Sequence, residues 1–460
     1  MSKYKGKKIL IVGLGRSGVS VAKYMSKQGA RIMITDIKQK TELLEYVKEI
    51  AHLKVDFDFG RHTNRYFHEA DLIVLSPGVP TSLQPIEEAK EKGVAITTEV
   101  DLAAKSIDCP LIAITGTNGK TTTSTMVNHM FQADGQKTFL GGNIGIPLLE
   151  YVAGGEKADT VVAELSSFQT ALAQKVVPAV AVFTNIGEDH LDRYPDMEAY
   201  VDAKKNLLKA CDRNTYVVLN FDDPVVSGFA DETNGKVLWY TKKNPMKIGG
   251  QFAEDFCGVY LSDDRKSIVE KITGQEHTYD LRGLRLFGEH NRENVMAGIC
   301  AARVQGVSPT AIQEAINSFQ GVPHRLEFVR KKNGVYFFND SKATNVMSVE
   351  RSLASFKKSP VILIAGGKDK DMDFSPLSEH VKSRVKILIL IGEAKEKINR
   401  AIGDTCETYL MGTFEESVLL AYQKSRSGDI ILLSPGCASY DMFRNFEERG
   451  DYFKKLVNQL

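Results

Sequence analysis

The sequence predicts an α/β protein of three domains, and three patterns support that fold class. Short runs of β-branched and aliphatic residues alternate with helical patterns along most of the 460 residues. Several runs are apolar throughout, which is typical of parallel strands covered on both faces. Two runs lead into glycine-rich turns that open helices, at 17–27 and 121–133. The strand candidates are 8–12, 31–35, 72–76, 111–115, 160–165, 179–185, 216–220, 360–366, 386–392 and 429–435.

Turn residues near Cys109–Pro110 and Gly321–Pro323 divide the chain into three blocks. Residues 1–98 predict a Rossmann-like domain that opens with the first glycine turn. Residues 99–322 predict a mostly parallel sheet behind the second glycine turn, with a small antiparallel patch at 247–290. Residues 323–460 predict a second Rossmann-like domain, built on three strands of the buried type.

Composition excludes several classes of protein. The net charge of +1 provides no overall field for nucleic acid. No apolar run reaches the roughly 18 residues of a membrane-spanning helix, so no integral membrane segment is expected. The lysine-rich start before Ile9 resembles a signal peptide, but Arg16 interrupts it and no cleavage site follows. Six cysteines without a C-x-x-C pair fit a reducing compartment, so we expect a cytoplasmic protein.

The first glycine turn, Gly13–Gly18, is a full G-x-G-x-x-G between a strand and a helix. Glycines allow the backbone to approach a diphosphate, and the helix N-terminus supplies amide donors. Alone, this motif also suggests an NAD-dependent oxidoreductase. The segment Ser76–Gly78 follows another strand and either lines the same crevice or forms a simple turn. Asp36 ends the next strand, at the distance expected for an acidic contact with a ribose. The predicted residues of a nucleotide-diphosphate site are Gly15, Arg16, Ser17, Asp36, Ser76, Pro77 and Gly78.

The second glycine turn, Thr115–Thr122, is a P-loop variant in which Ile114 replaces the usual first glycine. Lys120 can reach the terminal phosphates of ATP, and the Thr121 hydroxyl can bind Mg²⁺. Two phosphate-binding turns in one chain suggest an enzyme that holds a nucleotide-linked substrate and consumes ATP. The acids, lysines and histidine expected around the P-loop argue against a non-catalytic nucleotide sensor. The predicted ATP-binding residues of this central P-loop ATPase domain are Gly116, Thr117, Asn118, Gly119, Lys120, Thr121 and Thr122.

The T-G-T-N-G-K-T loop resembles that of the Mur ligases and of the folylpolyglutamate synthetases. These enzymes phosphorylate a carboxylate with ATP and let an amine attack the acyl phosphate. The segments Asn339–Asn345, Leu433–Phe443 and Asn445–Gly450 resemble the D-glutamate-adding branch of the Mur ligase family. The resemblance covers essentially the whole chain. It implies the substrates UDP-N-acetylmuramoyl-L-alanine and D-glutamate, ATP, two Mg²⁺ sites and a monomer. The first block argues against a folate-type ligase, because those enzymes usually begin with the P-loop domain.

The resemblance also gives roles to residues that would otherwise be ordinary strand-end, turn or helix residues. Glu164 becomes a Mg²⁺ ligand, and Asn143 lies near the acyl phosphate. His190 becomes a ligand of the second metal and a candidate for the base, which the sequence does not identify. Lys204 becomes a lysine that reacts with CO₂ to form a carbamate, although Lys205 is a rival. The implied metal ligands are Thr121, Glu164, His190 and Lys204, and the implied catalytic residues are Lys120, Asn143, His190 and Lys204.

The remaining implied contacts lie in the later part of the chain, so the third domain is expected to close over ATP. Lys368 is a rival of Lys370, because both lie in one glycine-rich loop. The implied ATP contacts are Asn291 and Asn294 near adenine, Arg325, Asp340 at the ribose and Lys342 at the phosphates. The implied D-glutamate contacts are Thr344, Lys370, Ser439 and Phe446.

Overall fold

A computed structural model describes residues 3–155, 157–173, 176–189, 193–286, 288–356, 359–369 and 372–460. The chain forms two compact units, Met1–Gly283 with Glu293–Asn317, and Leu284–Arg292 with Ser318–Leu460. The boundary expected at 98/99 falls inside the first unit and stays a prediction. In the described ranges, no helix combines the length and the apolar character needed to cross a bilayer.

The first sheet of the first unit has five parallel strands in the order β3-β2-β1-β4-β5. β1 and β4 are neighbours, so the turns that follow them lie side by side at the point where the strand order reverses. The strands are β1 (Lys8–Val12), β2 (Arg31–Asp36), β3 (Val55–Phe59), β4 (Leu72–Leu75) and β5 (Ala95–Thr98). The helices are α1 (Arg16–Lys27), α2 (Leu44–Glu49), α3 (Asn64–Glu69), α4 (Gln84–Glu91) and α5 (Glu99–Ala104).

The second sheet has nine strands in the order β14-β13-β12-β11-β10-β9-β6-β8-β7. Its pairs are parallel except β12–β13 and β13–β14, so the predicted antiparallel patch is confirmed as one edge of this sheet. β6 lies between β8 and β9, and all three are fully buried because helices cover both faces. The strands are β6 (Leu111–Thr115), β7 (Thr138–Gly142), β8 (Thr160–Glu164), β9 (Val180–Phe183), β10 (Tyr216–Asn220), β11 (Lys236–Thr241), β12 (Gly258–Leu261), β13 (Ser267–Lys271) and β14 (Glu276–Asp280).

The helices of this part of the chain connect the parallel strands. The P-loop helix follows β6 directly. A short 3₁₀ helix covers Gly228–Glu232. The α-helices are α6 (Lys120–Ala133), α7 (Leu148–Gly154), α8 (Ser167–Thr170), α9 (Met197–Lys209), α10 (Pro224–Ser227), α11 (Pro245–Ile248), α12 (Gly250–Glu254), α13 (Glu289–Arg303) and α14 (Pro309–Ser318).

The sheet of the second unit has six strands in the order β15-β16-β20-β17-β18-β19, and only β15 is antiparallel to its neighbour. Hydrophobic clusters cover both faces of the sheet. The strands are β15 (Glu327–Lys332), β16 (Val335–Asn339), β17 (Val361–Gly366), β18 (Val385–Ile391), β19 (Glu407–Leu410) and β20 (Ile430–Leu433). The helices are α15 (Val346–Ala354), α16 (Ser378–Arg384), α17 (Lys395–Ile402), α18 (Phe414–Lys424) and α19 (Phe446–Gln459), with 3₁₀ turns at Ser375–Leu377 and Gly403–Thr405.

Candidate active site

The first glycine turn forms an open cradle at the start of α1. Gly13 has a φ of +94°, and a Cβ there would press against Ser76. Gly15 occupies the N-cap position without a side-chain cap, and open space surrounds the position of its missing Cβ. The first amides of α1, at Arg16 and Ser17, therefore border a space where an anion could approach.

Two side chains fix the shape of this turn. The Asp36 carboxylate accepts from the Leu14 amide at 2.7 Å and from the Lys38 amide at 2.9 Å. The Ser76 hydroxyl donates to the Gly13 carbonyl at 2.8 Å. The structure therefore brings Ser76–Gly78 to the glycine turn, as the shared-crevice interpretation expects. Asp36 organises the turn itself, and its contact with a ribose stays a prediction.

A cleft in the first unit continues from this turn towards the second sheet. Its walls include the 76–81 loop, the start of α5, Phe168 with Gln169, and Tyr194. The Phe168 and Tyr194 rings stack with centroids 5.7 Å apart, and the Arg193 guanidinium lies 6.0 Å from the Phe168 ring. The cleft therefore combines aromatic surface with polar groups, as ligand sites commonly do.

The second glycine turn is tightly packed. At Gly116, with a φ of +139°, a Cβ would overlap the Thr184 hydroxyl. At Gly119, with a φ of +85°, a Cβ would overlap the Asn294 side chain. Both positions therefore require glycine. Asn294 is 4% exposed beside the loop, so the structure places this predicted ATP contact at the start of α6.

Polar contacts also hold the middle of the P-loop. The Thr117 hydroxyl lies 3.0 Å from the Tyr200 hydroxyl and accepts from the Gly187 amide at 3.0 Å. The Asn118 amide donates to the Asn185 side chain at 2.9 Å. The segment after β9 therefore supports the loop from one side. The other predicted loop residues, Thr121 and Thr122, lie in the first turn of α6.

Two lysines converge on one carbonyl of the P-loop. Lys120 Nζ donates to the carbonyls of Gly116 at 2.9 Å and Thr117 at 2.8 Å. Lys204 Nζ donates to the same Gly116 carbonyl at 2.9 Å and lies 4.7 Å from the centre of the Tyr200 ring. Lys204 is only 1% exposed. Burial, followed by the nearby charge of Lys120, lowers the pKa of Lys204 to about 7.

An acid stands at the end of β8, beside the P-loop strand β6. Glu164 is 1% exposed, and its Oε1 accepts from the Asn143 side chain at 2.7 Å. Its Oε2 is buried and has no hydrogen-bond partner among the described residues. The Asn143 amide also donates to the Glu164 carbonyl at 2.8 Å. Parallel strands place their carboxyl ends on one edge, so this pair and the P-loop meet there.

Two predicted residues, His190 and Lys370, lie outside the described residues. Asp189 is described, and its negative charge acts to raise the pKa of Lys204, so Asp189 lies near that lysine. Asn291 is buried at the start of α13 and is described with the second unit. Its contact with adenine stays a prediction.

In the second unit, Arg325 occupies a strained turn. Its neighbours His324 and Leu326 have φ values of +62° and +44°, which non-glycine residues rarely adopt. Asp340 accepts from the Leu326 amide at 3.1 Å, and the Lys342 amide donates to the His324 carbonyl at 3.0 Å. The structure therefore brings together the three residues predicted to contact ATP in this part of the chain. Such strain often marks functional sites.

Asp340 is more buried than expected for a residue that contacts the ribose of a bound nucleotide. It is 4% exposed, and Oδ2 accepts from the hydroxyls of Ser352 at 2.5 Å and Ser434 at 2.8 Å. Burial raises the pKa of Asp340 to about 6 despite these hydrogen bonds. The carboxyl therefore organises the loops after β16 and β20, and its contact with the ribose stays a prediction.

The described residues predicted to bind D-glutamate cluster around the same loops. Lys342 Nζ lies 5.5 Å from the centre of the Phe446 ring. The Ser341 hydroxyl donates to the Phe446 carbonyl at 2.8 Å. Ser439 follows β20, and Thr344 precedes α15. Lys368 is exposed and pairs with Glu393 at 2.6 Å.

Sequence reasoning missed three buried polar residues near these sites. Tyr200 supports both Thr117 and Lys204. Glu99 lines the cleft, accepts from the Leu149 amide at 2.6 Å, and has its pKa raised to about 7, chiefly by burial. Arg449 is fully buried in the second unit. Helical spacing could have identified two of them. Tyr200 lies four residues before Lys204, and Arg449 lies three residues after Phe446, and such positions share a helix face.

The fold and this site define a protein of the P-loop α/β class, with an acid and a buried lysine added beside the loop. Three domain families match successive parts of the chain: the Mur ligase MurD-like N-terminal domain at 7–98, the Mur ligase middle domain at 114–302, and the Mur ligase glutamate ligase domain at 324–437. The chain belongs to the Mur ligase family.

Relatives of similar length share close to half of the sequence. The UDP-N-acetylmuramoylalanine–D-glutamate ligase of Bdellovibrio bacteriovorus is 45% identical over 467 residues, covering 100% of this chain and 98% of the relative. The ligase of the same name from Geotalea uraniireducens is 45% identical over 454 residues, covering 99% and 98%. That from Thermoanaerobacter pseudethanolicus is 39% identical over 465 residues, covering 99% of both chains.

Solved structures share the fold at low sequence identity. A pseudomurein peptide ligase type C from Methanothermus fervidus has a TM-score of 0.57 and 20% identity, covering 99% of this chain and 100% of that one. The UDP-N-acetylmuramate–alanine ligase of Thermotoga maritima has a TM-score of 0.57 and 19% identity, covering 98% and 99%. These likenesses show the three-domain fold.

Proposed function

We propose that the protein is an ATP-dependent ligase that adds D-glutamate to UDP-N-acetylmuramoyl-L-alanine through an amide bond. The 45% identity over the whole chain to relatives named for this reaction supports the substrates. The observation that carries the reaction class is the convergence of Lys120 and Lys204 on the Gly116 carbonyl, beside the buried acid Glu164. Charged groups of both signs thus surround a loop suited to phosphate.

The residues at this edge fit a divalent cation. Buried carboxylate oxygens without a donor are costly, and Glu164 Oε2 is such an oxygen among the described residues. Carboxylate and hydroxyl oxygens are the ligands that Mg²⁺ prefers, so Glu164 and Thr121 would hold one ion. His190 and Lys204 would complete a second site. Bound Mg²⁺ would neutralise charge on the transferred phosphoryl group.

The side chains of this protein position the phosphates and neutralise their charge. The amides at the start of α6 and Lys120 would bind the ATP phosphates. The alanyl carboxylate then attacks the γ-phosphorus, ADP departs, and an acyl phosphate forms. The neutral amine of D-glutamate attacks the acyl carbon and releases inorganic phosphate. Its ammonium form must first lose a proton, and His190 is a candidate to accept it.

Lys204 is suited to carbamate formation. The neutral amine, not the ammonium ion, attacks CO₂ and gives a carbamate and a proton. Its pKa of about 7 leaves a large neutral fraction near neutral pH, because burial disfavours the charged form. Carbamylation would turn a buried cation into an anion able to bind Mg²⁺. The half-buried alternative, Lys205, already pairs with Glu232 at 2.6 Å.

The other contacts are assigned by the same proposal. The first glycine turn would bind the UDP diphosphate through the amides near Gly15, Arg16 and Ser17, with Ser76–Gly78 alongside. Arg325, Asp340 and Lys342 would contact ATP, and Thr344, Lys370, Ser439 and Phe446 would contact D-glutamate. A cytoplasmic location and a monomeric state complete the proposal, and light scattering after size-exclusion chromatography tests the second.

A substrate-panel assay tests the function. Purified protein with Mg²⁺ and ATP should release phosphate only when UDP-N-acetylmuramoyl-L-alanine and D-glutamate are both present. Mixtures lacking either substrate are the controls. Turnover with L-lysine in place of D-glutamate would indicate a different Mur ligase. Oxidation of NADH by a panel of ketones, without ATP turnover, would favour the oxidoreductase alternative.

A further inference from the structure

Arg449 has no role in the proposed chemistry, yet it is buried among loops that carry predicted D-glutamate contacts. It lies on α19 three residues after Phe446, so the two share a helix face. Its side chain is fully buried. The loops after β16, β17 and β20 surround it, and these loops carry Thr344 and Ser439.

The Arg449 guanidinium joins two of these loops through four hydrogen bonds. Nε donates to the Ser341 hydroxyl at 3.0 Å, and Nη2 donates to the Ser341 carbonyl at 2.8 Å. Nη2 also donates to the Cys437 carbonyl at 3.1 Å, and Nη1 to the Ala438 carbonyl at 3.3 Å. Ser341 in turn donates to the Phe446 carbonyl at 2.8 Å. The rigid fork of arginine therefore holds Ser341 and Cys437–Ala438 in one arrangement.

The loop after β17 packs against the same group. A Cβ at Gly367 would come within 3.1 Å of Arg449 Nη1 and would overlap the Ala438 carbonyl. The next residue, Lys368, donates its amide to that carbonyl at 2.9 Å. Three of the loops at the carboxyl edge of the sheet, those after β16, β17 and β20, therefore meet at one side chain.

The charge of Arg449 is not neutralised by a direct partner. All four acceptors are neutral oxygens, and no acid of the described ranges forms an ion pair with it. Burial lowers the pKa of Arg449 to about 10, against the opposing effects of Cys437 and of the nearby acid Asp441. The side chain therefore still carries its proton at neutral pH. A buried cation whose hydrogen-bond partners are all neutral is costly, and an uncharged side chain could fill the same volume. An anionic ligand bound nearby would compensate for this cost.

We propose that Arg449 is a positioning residue for the amino-acid substrate, which it serves in two ways. It fixes the loops that contact the substrate, and its buried positive charge favours a dicarboxylate over a monocarboxylate of the same shape. The inference rests on the proposed function. It adds a determinant of substrate charge that makes no contact with the substrate.

Two variants separate the charge from the packing. Arg449→Gln removes the charge, so we expect the KM for D-glutamate to rise roughly tenfold or more, since several hydrogen bonds of a charged group are lost. The KM for the UDP-linked substrate should stay within about twofold, because its predicted contacts lie in the first unit. The KM for ATP is not a control, because the predicted ATP contacts Asp340 and Lys342 flank Ser341. Arg449→Lys keeps the positive charge but removes the planar guanidinium that donates to several acceptors at once.

D-Glutamine, a neutral amide of the same shape, reports the effect of charge. We expect Arg449→Lys to retain the wild-type ratio of kcat/KM for D-glutamate over D-glutamine. We expect Arg449→Gln to reduce that ratio by roughly fivefold or more, because a low-dielectric interior screens charge weakly. Arg444→Gln is the matched control, since Arg444 is 86% exposed and pairs with Glu448. It should change neither quantity.

The outcomes are distinct. A folded Arg449→Gln that keeps the wild-type KM and ratio, or that raises the KM values for D-glutamate and the UDP-linked substrate equally, would overturn the inference. If Arg449→Gln does not fold, Arg449→Lys provides the test. A lower ratio of kcat/KM for D-glutamate over D-glutamine in Arg449→Lys than in the wild type would also overturn the inference. Wild-type protein that fails to use D-glutamate would instead overturn the proposed function. Melting temperatures of all variants establish folding.

Discussion

The two glycine turns begin from the same local pattern and end with different surroundings. Both follow a buried parallel strand and open a helix, so both present backbone amides to an anion. The first is shaped by Asp36 and Ser76 through hydrogen bonds to its backbone. The second has two lysines on its Gly116 carbonyl and a buried acid on the neighbouring strand.

This difference shows that the glycine turn alone predicts phosphate binding. The side chains packed around the turn determine whether the bound phosphate is only held or is also transferred. A cradle lined by backbone amides is suited to holding a diphosphate that does not react. A cradle with lysines and a buried acid that we propose binds Mg²⁺ is suited to phosphoryl transfer, which depends on neutralising developing charge. Substitutions at the first turn should therefore change binding, and those at the second should change turnover.

The largest expected effect is at Lys120. Lys120→Ala should lower kcat by about 10³-fold or more, because the phosphates lose their charge-neutralising contact. Phosphate release in the complete assay measures this loss. The matched change in the first turn is Arg16→Ala, which removes an exposed cation and should leave kcat almost unaltered. Retained turnover in Lys120→Ala would discard the P-loop interpretation.

A smaller but more specific effect is expected at Lys204. Lys204→Ala should lower kcat by roughly 10²-fold, and formate or acetate should restore part of it by replacing the carbamate. Lys205→Ala is the control and should remain active. Incorporation of ¹³CO₂, followed by NMR, should increase as pH rises through about 7, because the amine is then neutral. A fully active Lys204→Ala would dismiss the carbamate.

The smallest effect is expected at the first turn. Asp36→Asn keeps one acceptor for two backbone amides, so the turn should loosen. The KM for the UDP-linked substrate should rise roughly tenfold, since about one charge-assisted hydrogen bond is lost, with little change in kcat. Initial rates over a range of that substrate measure both. Asp56→Asn, at an exposed strand position, serves as control. A fall in kcat without a rise in KM would contradict the assignment of substrate binding to the first turn and of phosphoryl transfer to the second.

The α/β fold was predictable because its central strands are apolar throughout. The strands expected at 8–12 and 111–115 are confirmed at Lys8–Val12 and Leu111–Thr115. The helices expected at 17–27 and 121–133 begin one residue earlier. Strands such as Val55–Phe59 and Glu327–Lys332 were missed, because they lie at sheet edges and mix polar with apolar residues.

The candidate site was predictable only where a motif fixes neighbours in sequence. The P-loop residues follow from their spacing. The contact of Lys204 with Gly116 joins residues 88 positions apart, and Arg449 reaches Ser341 across 108 positions. No local pattern reports such contacts, since they depend on which strands become neighbours. The resemblance to a family supplied Lys204, and nothing in the sequence supplied a role for Arg449.

By itself, the sequence determined the strand–turn–helix units, the glycines at their turns and the residue types available for chemistry, because these depend on local backbone geometry and hydrophobic period. Only the tertiary structure decided that Lys204 is buried against the P-loop, that one Glu164 oxygen finds no donor in the described part of the chain, and that Arg449 is buried among three loops. Burial and strand order set these surroundings, and the surroundings determine the charge that each group carries.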